Sequence, residues 1–225
     1  MANIKVMLSL AFKEAYLELV PEFERASGHK VTTAWVSSVD VMGRLQAGEA
    51  VDLVILSKKA IDDLIAAGIL ADRQDIAQSG VAAAVKAGAP KPDISSGDAL
   101  KRAVLAAKSI AYSTGPSGVY LIELFERMGI TAQIKGKVRQ VKGEPAGAVV
   151  ARGEAELGFQ QMSELLPVPG IDIVGPLSPD IQKITVFSAG VHRKSQAADA
   201  ARALVKFAQA PAAHPVIRKK GLEPV

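Results

Sequence analysis

Apolar positions along the chain follow two alternating periods. Near-continuous apolar runs, of which 4–8 is the first, alternate with segments such as 12–23, where apolar residues recur every three or four positions. The runs predict buried strands and the spacing predicts helices with one apolar face, an order typical of α/β folds with parallel sheets. The predicted strands are 4–8, 31–36, 51–56, 81–85, 108–111, 137–141, 157–160, 171–174 and 184–191. Further helices are predicted at 39–47, 58–67, 97–107, 119–128, 146–152 and 197–209.

Serines stand where three of these strands give way to helices. Ser9 follows the first strand, Ser38 follows the second, and Ser117 lies in the run 112–120 between Pro116 and Gly118. Taken singly, each serine needs no role beyond capping a helix. Hydroxyls and open N–H groups at a helix start also suit an anion, and ligands of parallel sheets bind beyond the carboxyl ends of the strands. Because the pattern recurs, we expect the three serines to converge on one anion site.

Composition narrows the function classes. The chain has 225 residues, 49% of them hydrophobic, so a folded core is expected. Its net charge of +4 is spread along the chain and aromatics make up only 4%, which argues against a nucleic-acid partner. No apolar run reaches the roughly 20 residues that span a bilayer, so no membrane insertion is expected. With no cysteine, metal-spaced histidines or nucleotide-binding loop, we expect neither metal nor cofactor.

Five stretches together resemble a known family. The chain is similar to the molybdate-binding-protein-like branch of the type 2 periplasmic solute-binding proteins, a bacterial extracellular solute-binding family, essentially from Ile4 to Pro224. The stretches that carry the resemblance are the first strand with Ser9 and its helix, Leu45-Gln46-Ala47-Gly48 before Val51-Asp52-Leu53-Val54-Ile55, Gly115-Pro116-Ser117-Gly118-Val119-Tyr120, Arg152-Gly153-Glu154-Ala155-Glu156-Leu157-Gly158-Phe159, and Pro169-Gly170-Ile171-Asp172 with Gly175-Pro176-Leu177.

The resemblance implies a two-lobe fold. Lobe I would comprise residues 1–80 plus 187–225 and lobe II residues 81–186, each a mostly parallel sheet flanked by helices, with two crossover strands between them. A small anion would be clamped between the lobes. Family oxyanion binders use two serine hydroxyls, which Ser9 and Ser38 match, and backbone N–H groups that here fall at Ser117–Gly118 and near Gly143–Glu144. The implied partner is an ABC permease, and the implied state is a monomer.

Several residues depart from the oxyanion-binding pattern. Gln161 stands where such members carry a tyrosine, and Asp40 adds a negative charge two residues after Ser38. Lys13 and Arg139 supply cations that suit the outer groups of an organic acid, although such cations are often only solvated surface groups. A carboxamide both donates and accepts hydrogen bonds, and a deprotonated metalate needs no acceptor. The departures favour a carboxylate over molybdate.

An enzyme is the alternative that the resemblance leaves open. A few members of this branch are isomerases of unsaturated tricarboxylates, which move a double bond by proton transfer in the same cleft. Such a reaction needs a general base with a tuned pKa, for which Lys13, Glu144 and Asp40 are the candidates. The first residues enter a strand without a signal-peptide pattern. We therefore expect a periplasmic location if a signal peptide has been removed and a cytoplasmic one otherwise.

Overall fold

The computed structural model describes residues 1–36 and 38–225, and the side chains of Ser38 and Val39 are outside that description. Ten strands and ten α-helices are found in this part of the chain. The strands are β1 (Asn3–Leu8), β2 (Lys30–Trp35), β3 (Leu53–Ser57), β4 (Gln74–Lys86), β5 (Ile110–Ser113), β6 (Val138–Val141), β7 (Leu157–Gln161), β8 (Ile171–Pro176), β9 (Ile184–Val191) and β10 (Glu223–Pro224). The helices are α1 (Lys13–Ser27), α2 (Ser38–Gln46), α3 (Lys58–Ala66), α4 (Gly97–Ala106), α5 (Pro116–Arg127), α6 (Thr131–Ile134), α7 (Ala146–Ala151), α8 (Met162–Leu165), α9 (Ala198–Gln209) and α10 (His214–Lys219).

The residues form two compact units. Unit 1 comprises Met1–Ser79 and Thr185–Val225, and unit 2 comprises Gly80–Ile184. The chain leaves unit 1 within β4 and returns to it at the start of β9. Among the described helices, none is long and apolar enough to cross a membrane.

Unit 1 is a sheet with helices on both faces. Its strand order is β2-β1-β3-β9-β4, in which β1 is parallel to β2 and β3, and β9 runs antiparallel to β3. Alternate residues of β1 face opposite sides, so Ile4, Val6 and Leu8 pack with α1 and α9, whereas Met7 packs with Val41 and Leu45 of α2. Because β1, β2 and β3 are parallel, their carboxyl ends lie at one edge of the sheet.

Unit 2 is also a sheet that packs against helices, but its strands follow a different order. Its strand order is β4-β7-β5-β6, with β8 also paired to β4; β5 is parallel to β6 and β7, and β4 is antiparallel to β7 and β8. The larger core cluster joins Phe159 of β7 to Leu121 and Phe125 of α5. The opposite face packs against α7, where a Cβ on Gly158 would lie 2.5 Å from the Val150 side chain.

Most predicted elements form, with two differences near the predicted site. The strand predicted at 81–85 is part of the much longer β4, and Ser38 is the first residue of α2 rather than a residue ahead of it. The short helices α6, α8 and α10 and the strand β10 were not predicted. Each spans six residues or fewer, too few to show a hydrophobic period.

Candidate functional site

Ser9 follows the last residue of β1, at the carboxyl edge of the unit 1 sheet. Its backbone N–H donates to the Ile55 carbonyl oxygen of β3 at 3.1 Å, which fixes the turn into the short 3₁₀ segment Leu10–Phe12 and then α1. The residue is 8% exposed, and its extended backbone is that of an N-cap, but its side chain makes no capping hydrogen bond. Among the described residues, the buried Ser9 Oγ has no hydrogen-bond partner at all. A buried hydroxyl in this state costs roughly 1–3 kcal/mol.

The other site residues predicted in unit 1 are Ser38, Asp40 and Lys13, and the structure describes the side chains of the last two. The Ser38 side chain lies outside the described residues, so its part in the site stays a prediction. Asp40 is exposed in the first turn of α2. Lys13 begins α1, and its Nζ lies 5.8 Å from the centre of the Trp35 ring, within the range of a cation–π contact.

Ser117 and Gly118 form the first turn of α5, as the sequence pattern predicts. Gly115 is the N-cap and Pro116 the first helical residue. The Ser117 hydroxyl is buried and lies 3.2 Å from Ser113 Oγ, at the end of β5. Gly118 is needed for close packing, because a Cβ at this position would collide with the Ser113 carbonyl oxygen. Two hydroxyls and a bare helix start therefore meet at the carboxyl edge of β5.

Gln161 ends β7 and caps α8, where it is fully buried. Glu144, predicted both as a ligand contact and as a base, is ion-paired with Arg152, with oxygen–nitrogen distances of 2.8 and 3.0 Å. This pairing lowers the pKa of Glu144, which makes the carboxylate a weak general base. Arg139 is likewise engaged by Glu154 at 2.7 Å. Glu144 and Arg139 are therefore each paired with an oppositely charged side chain of unit 2.

A polar network beside Gln161 was missed by the sequence analysis. Gln160 is buried, its Oε1 accepts from the Ala146 backbone N–H at 2.8 Å, and its Nε2 donates to Glu164 Oε1 at 2.9 Å. Burial is the largest effect on Glu164 and raises the pKa of its carboxyl group to about 7, against opposing hydrogen bonds from the Gln160 side chain and the Gln161 backbone. Gln160 thus occupies the first N–H of α7, close to the Gly143–Glu144 stretch that was expected to offer a backbone donor.

The strand register brings several of these residues together in unit 2. Tyr112 of β5 pairs with Phe159 of β7 and with Gln140 of β6, and Ser113 pairs with Val141. Ser113 and Gln160 are the next residues along their parallel strands and so lie at the same carboxyl edge. At this edge Ser113 and Ser117 form one hydroxyl pair, and Gln160, Gln161 and Glu164 form a second polar group. Ser9 belongs to unit 1, and its convergence with Ser117 stays a prediction.

A cavity in unit 1 lies away from the predicted site residues. It measures about 750 Å³ and is lined by Lys5, Asp52 and Arg193, at the amino ends of β1 and β3. Asp52 is committed to structure there, because it accepts from the Lys5 backbone N–H at 2.8 Å and from Ser195 Oγ at 2.6 Å. Among the predicted site residues whose side chains the structure describes, none lines this cavity. Within residues 1–36 and 38–225, no cluster of acidic or histidine side chains is arranged to hold a metal.

Comparison with known proteins places the chain in a family. A family model described as "Bacterial extracellular solute-binding protein" matches residues 4–223. An aconitate isomerase from a Pseudomonas species is 45% identical over 216 residues, covering 92% of this chain and 82% of the relative. The molybdate-binding protein ModA from Azotobacter vinelandii is 26% identical, with 98% of this chain and 89% of that protein covered.

The fold is shared with solved structures as well. The sulfate-binding protein SubI from Mycobacterium tuberculosis H37Rv superimposes with a TM-score of 0.80 at 18% identity, covering 100% of this chain and 88% of that one. The predicted α/β fold of the type 2 periplasmic binding proteins is confirmed by this match and by the order of strands and helices. Since the family model spans nearly the whole length, the chain belongs to the bacterial extracellular solute-binding proteins.

Proposed function

We propose that this solute-binding protein binds a small organic anion with more than one carboxylate. The observation that carries the proposal is the buried hydroxyl of Ser9 at the carboxyl edge of the unit 1 sheet, which has no hydrogen-bond partner among the described residues. A carboxylate oxygen would accept a hydrogen bond from the Ser9 hydroxyl and so remove the free-energy cost of the unmatched donor. Ser117 and Gly118 offer the corresponding hydroxyl and helix start in unit 2.

The choice of a carboxylate over molybdate rests on Gln161 and on the relatives. Gln161 replaces the tyrosine that the resemblance leads one to expect, and a carboxamide can both donate and accept hydrogen bonds. The relative named for a tricarboxylate is 45% identical, whereas the one named for molybdate is 26% identical. In this role the protein works in the periplasm and delivers its ligand to an ABC permease.

A ligand panel tests the proposal. We expect citrate, aconitate or tricarballylate to raise the unfolding temperature, because a ligand at about 100 times its Kd stabilises the folded state by roughly 2.7 kcal/mol. Molybdate, tungstate and sulfate serve as the competing class. Submicromolar molybdate affinity by calorimetry, with no heat from any carboxylate, would show that the proposal is wrong.

Replacing Ser9 with alanine is expected to change affinity and stability in opposite directions. Ligand affinity falls about tenfold, because one donor to the anion is lost. The free energy of unfolding without ligand stays the same or rises by about 1 kcal/mol, since a buried unmatched hydroxyl is removed. Calorimetry and urea unfolding measure the two effects. Ser95→Ala, at an exposed serine of unit 2, is the control and should leave the affinity unchanged; equal affinity in both variants would argue against Ser9.

Isomerisation of an unsaturated tricarboxylate is the second candidate function. It is favoured by the aconitate isomerase relative, which covers 92% of this chain at 45% identity. Binding of a tricarboxylate is common to both candidates, so they differ only in turnover. Proton NMR of aconitate mixed with catalytic amounts of the protein separates them, because a binding protein leaves the spectrum unchanged and an isomerase converts one isomer into the other.

A further inference from the structure

The cavity described in unit 1 is not used by the proposed binding role. Its volume of about 750 Å³ lies within the range of cavities that bury small organic ligands, and the described residues that line it belong to unit 1. Asn3 lines it at the start of β1, whereas Ser9 follows the end of that strand. At a rise of about 3.3 Å per residue, the cavity therefore lies roughly 20 Å from the carboxyl edge of the sheet.

One wall of the cavity is fixed by hydrogen bonds of the segment that follows β9. The His192 backbone N–H donates to the Asp52 carbonyl oxygen at 2.9 Å. The Arg193 backbone N–H donates to the Ile69 carbonyl oxygen at 3.0 Å, and Arg193 Nε donates to the Leu70 carbonyl oxygen at 3.0 Å. These bonds fix the direction of the guanidinium group. Its two terminal nitrogens have no partner in the described part of the chain, so they are left for a ligand.

The acidic side chains of this cavity already have donors. Asp52 accepts from the Lys5 backbone N–H and from Ser195 Oγ. Glu49 is ion-paired with Arg44. Both carboxylates are thus hydrogen-bonded by groups of the protein itself.

Basic side chains supply the remaining charge. Among the described residues, no ion pair engages Lys5, Arg193 or Lys194, and all three are exposed. His192 Nδ1 accepts from the Lys194 backbone N–H at 3.1 Å, so the proton of the neutral ring lies on Nε2, which is a further donor. The carboxyl ends of α2 and α3 contribute about half a negative charge each, which together with Asp52 is less than the three basic groups supply. The cavity therefore carries an excess of positive charge.

Another wall of the cavity is apolar. Leu45 of α2 and Val51 are buried, and with Ile69 they belong to the apolar cluster on this face of the sheet. All three line the cavity. A ligand that fits both walls has an anionic group and an apolar body, because inorganic phosphate alone would leave the apolar wall in contact with water.

We propose that this cavity is a second ligand site, which binds a small phosphate monoester with an apolar body. Such an ester carries nearly two negative charges at pH 7 and presents several acceptor oxygens. Arg193 binds two of these oxygens through its terminal nitrogens, and Lys5 and Lys194 compensate the charge. The apolar body packs on Leu45 and Val51. The site is independent of the anion proposed to bind at the carboxyl edge.

Titration calorimetry with naphthyl phosphate tests this site. Inorganic phosphate and naphthol supply the two halves of the probe separately. The proteins are the unchanged chain, Arg193→Gln, Lys5→Gln and Lys206→Gln. The last is the matched control, because Lys206 is an exposed lysine of α9 in unit 1 that does not line the cavity. Each protein is also titrated with aconitate, which belongs to the ligand class of the binding proposal.

We expect one naphthyl phosphate to bind per chain, at least about tenfold more tightly than inorganic phosphate or naphthol. Arg193→Gln should weaken its binding about tenfold, since hydrogen bonds between two charged groups are lost. Lys5→Gln should weaken it about threefold through the loss of one charge, and it decides if Arg193→Gln does not fold. Lys206→Gln should match the unchanged chain.

Three results would overturn the inference. Naphthyl phosphate may give no heat with the unchanged chain, which rejects the site. Equal affinity for Arg193→Gln, Lys5→Gln and the unchanged chain means that the probe binds elsewhere. Naphthol or inorganic phosphate bound as tightly as the ester rejects the ligand class. The aconitate titrations keep this test separate from the binding proposal, because all four proteins should bind aconitate equally whether or not the second site exists.

Discussion

At pH 8, Glu164→Gln is expected to unfold with a free energy about 2 to 3 kcal/mol higher than that of the unchanged chain. Burial raises the pKa of Glu164 from 4.5 to about 7, so the folded state holds this proton more tightly than the unfolded state does. Its contribution to stability is fully present below about pH 4.5, is lost as the pH rises to about 7, and stays lost above it. Glutamine keeps the shape and the hydrogen bonding of the neutral acid but never has to ionise.

Urea unfolding of both proteins at pH 4.5 and pH 8 measures this difference. The two should be equally stable at the lower pH, and the advantage of the variant should grow to its maximum above pH 7. Acids whose pKa ion pairs lower, such as Glu154, act with the opposite sign and cancel when the two proteins are compared at one pH. The exposed Glu126→Gln should show no pH-dependent difference. A Glu164→Gln advantage of the same size at both pH values would contradict a half-buried carboxyl group with a raised pKa.

Gly118→Ala is expected to cost about 3 kcal/mol or more and to abolish ligand binding. The new Cβ would collide with the Ser113 carbonyl oxygen and lie 3.2 Å from the Tyr112 ring. Backbone atoms cannot rotate away as a side chain can, so the first turn of α5 has to move away from β5. That movement separates Ser117 from Ser113, whose hydroxyls lie 3.2 Å apart.

The control for this substitution is Gly43→Ala. Gly43 lies inside α2, and no atom of the described residues lies within 4 Å of the position of an added Cβ. Alanine there should stabilise the chain by about 0.5 to 1 kcal/mol, because it favours the helix and meets no obstacle. Urea unfolding measures both variants. Equal stability of Gly118→Ala and the unchanged chain would mean that the turn tolerates a side chain, against the packing described here.

The strand β4 shows which features of the fold could be predicted. Its apolar second half, with Val81 and Val85, was predicted from the sequence, whereas its first half, beginning Gln74-Asp75, was not. That first half is held by partners far away in the chain, since β10 pairs at Gln78 and Ala77. The spacing of hydrophobic residues reports only on neighbours in the sequence. A strand that is held by a partner more than 140 residues away therefore cannot be predicted from that spacing.

The residues of the candidate site also differ in whether the local sequence could predict them. The positions of Ser9 and of Ser117 and Gly118 were predicted correctly as helix starts, because strand, small polar turn and helix are adjacent in sequence. Glu164 could not be identified as a titrating group near neutral pH. Its pKa depends on burial by neighbours brought to it by the fold, and in the sequence it stands in a segment too short to be recognised as a helix.

The route of the chain through the two units bears on how the protein folds during synthesis. Unit 2 is one continuous stretch, Gly80–Ile184, whose contacts can all form once that stretch has left the ribosome. Unit 1 cannot be completed until the last part of the chain has been made, since β9 is the antiparallel neighbour of β3, and β10 pairs with β4. Until β9 arrives, β3 has an open edge, and the apolar residues Leu53 to Leu56 stay exposed to pairing with other chains. Fragments that stop before residue 184 should therefore aggregate through β3, and chaperone demand should be highest for the N-terminal segment Met1–Ser79.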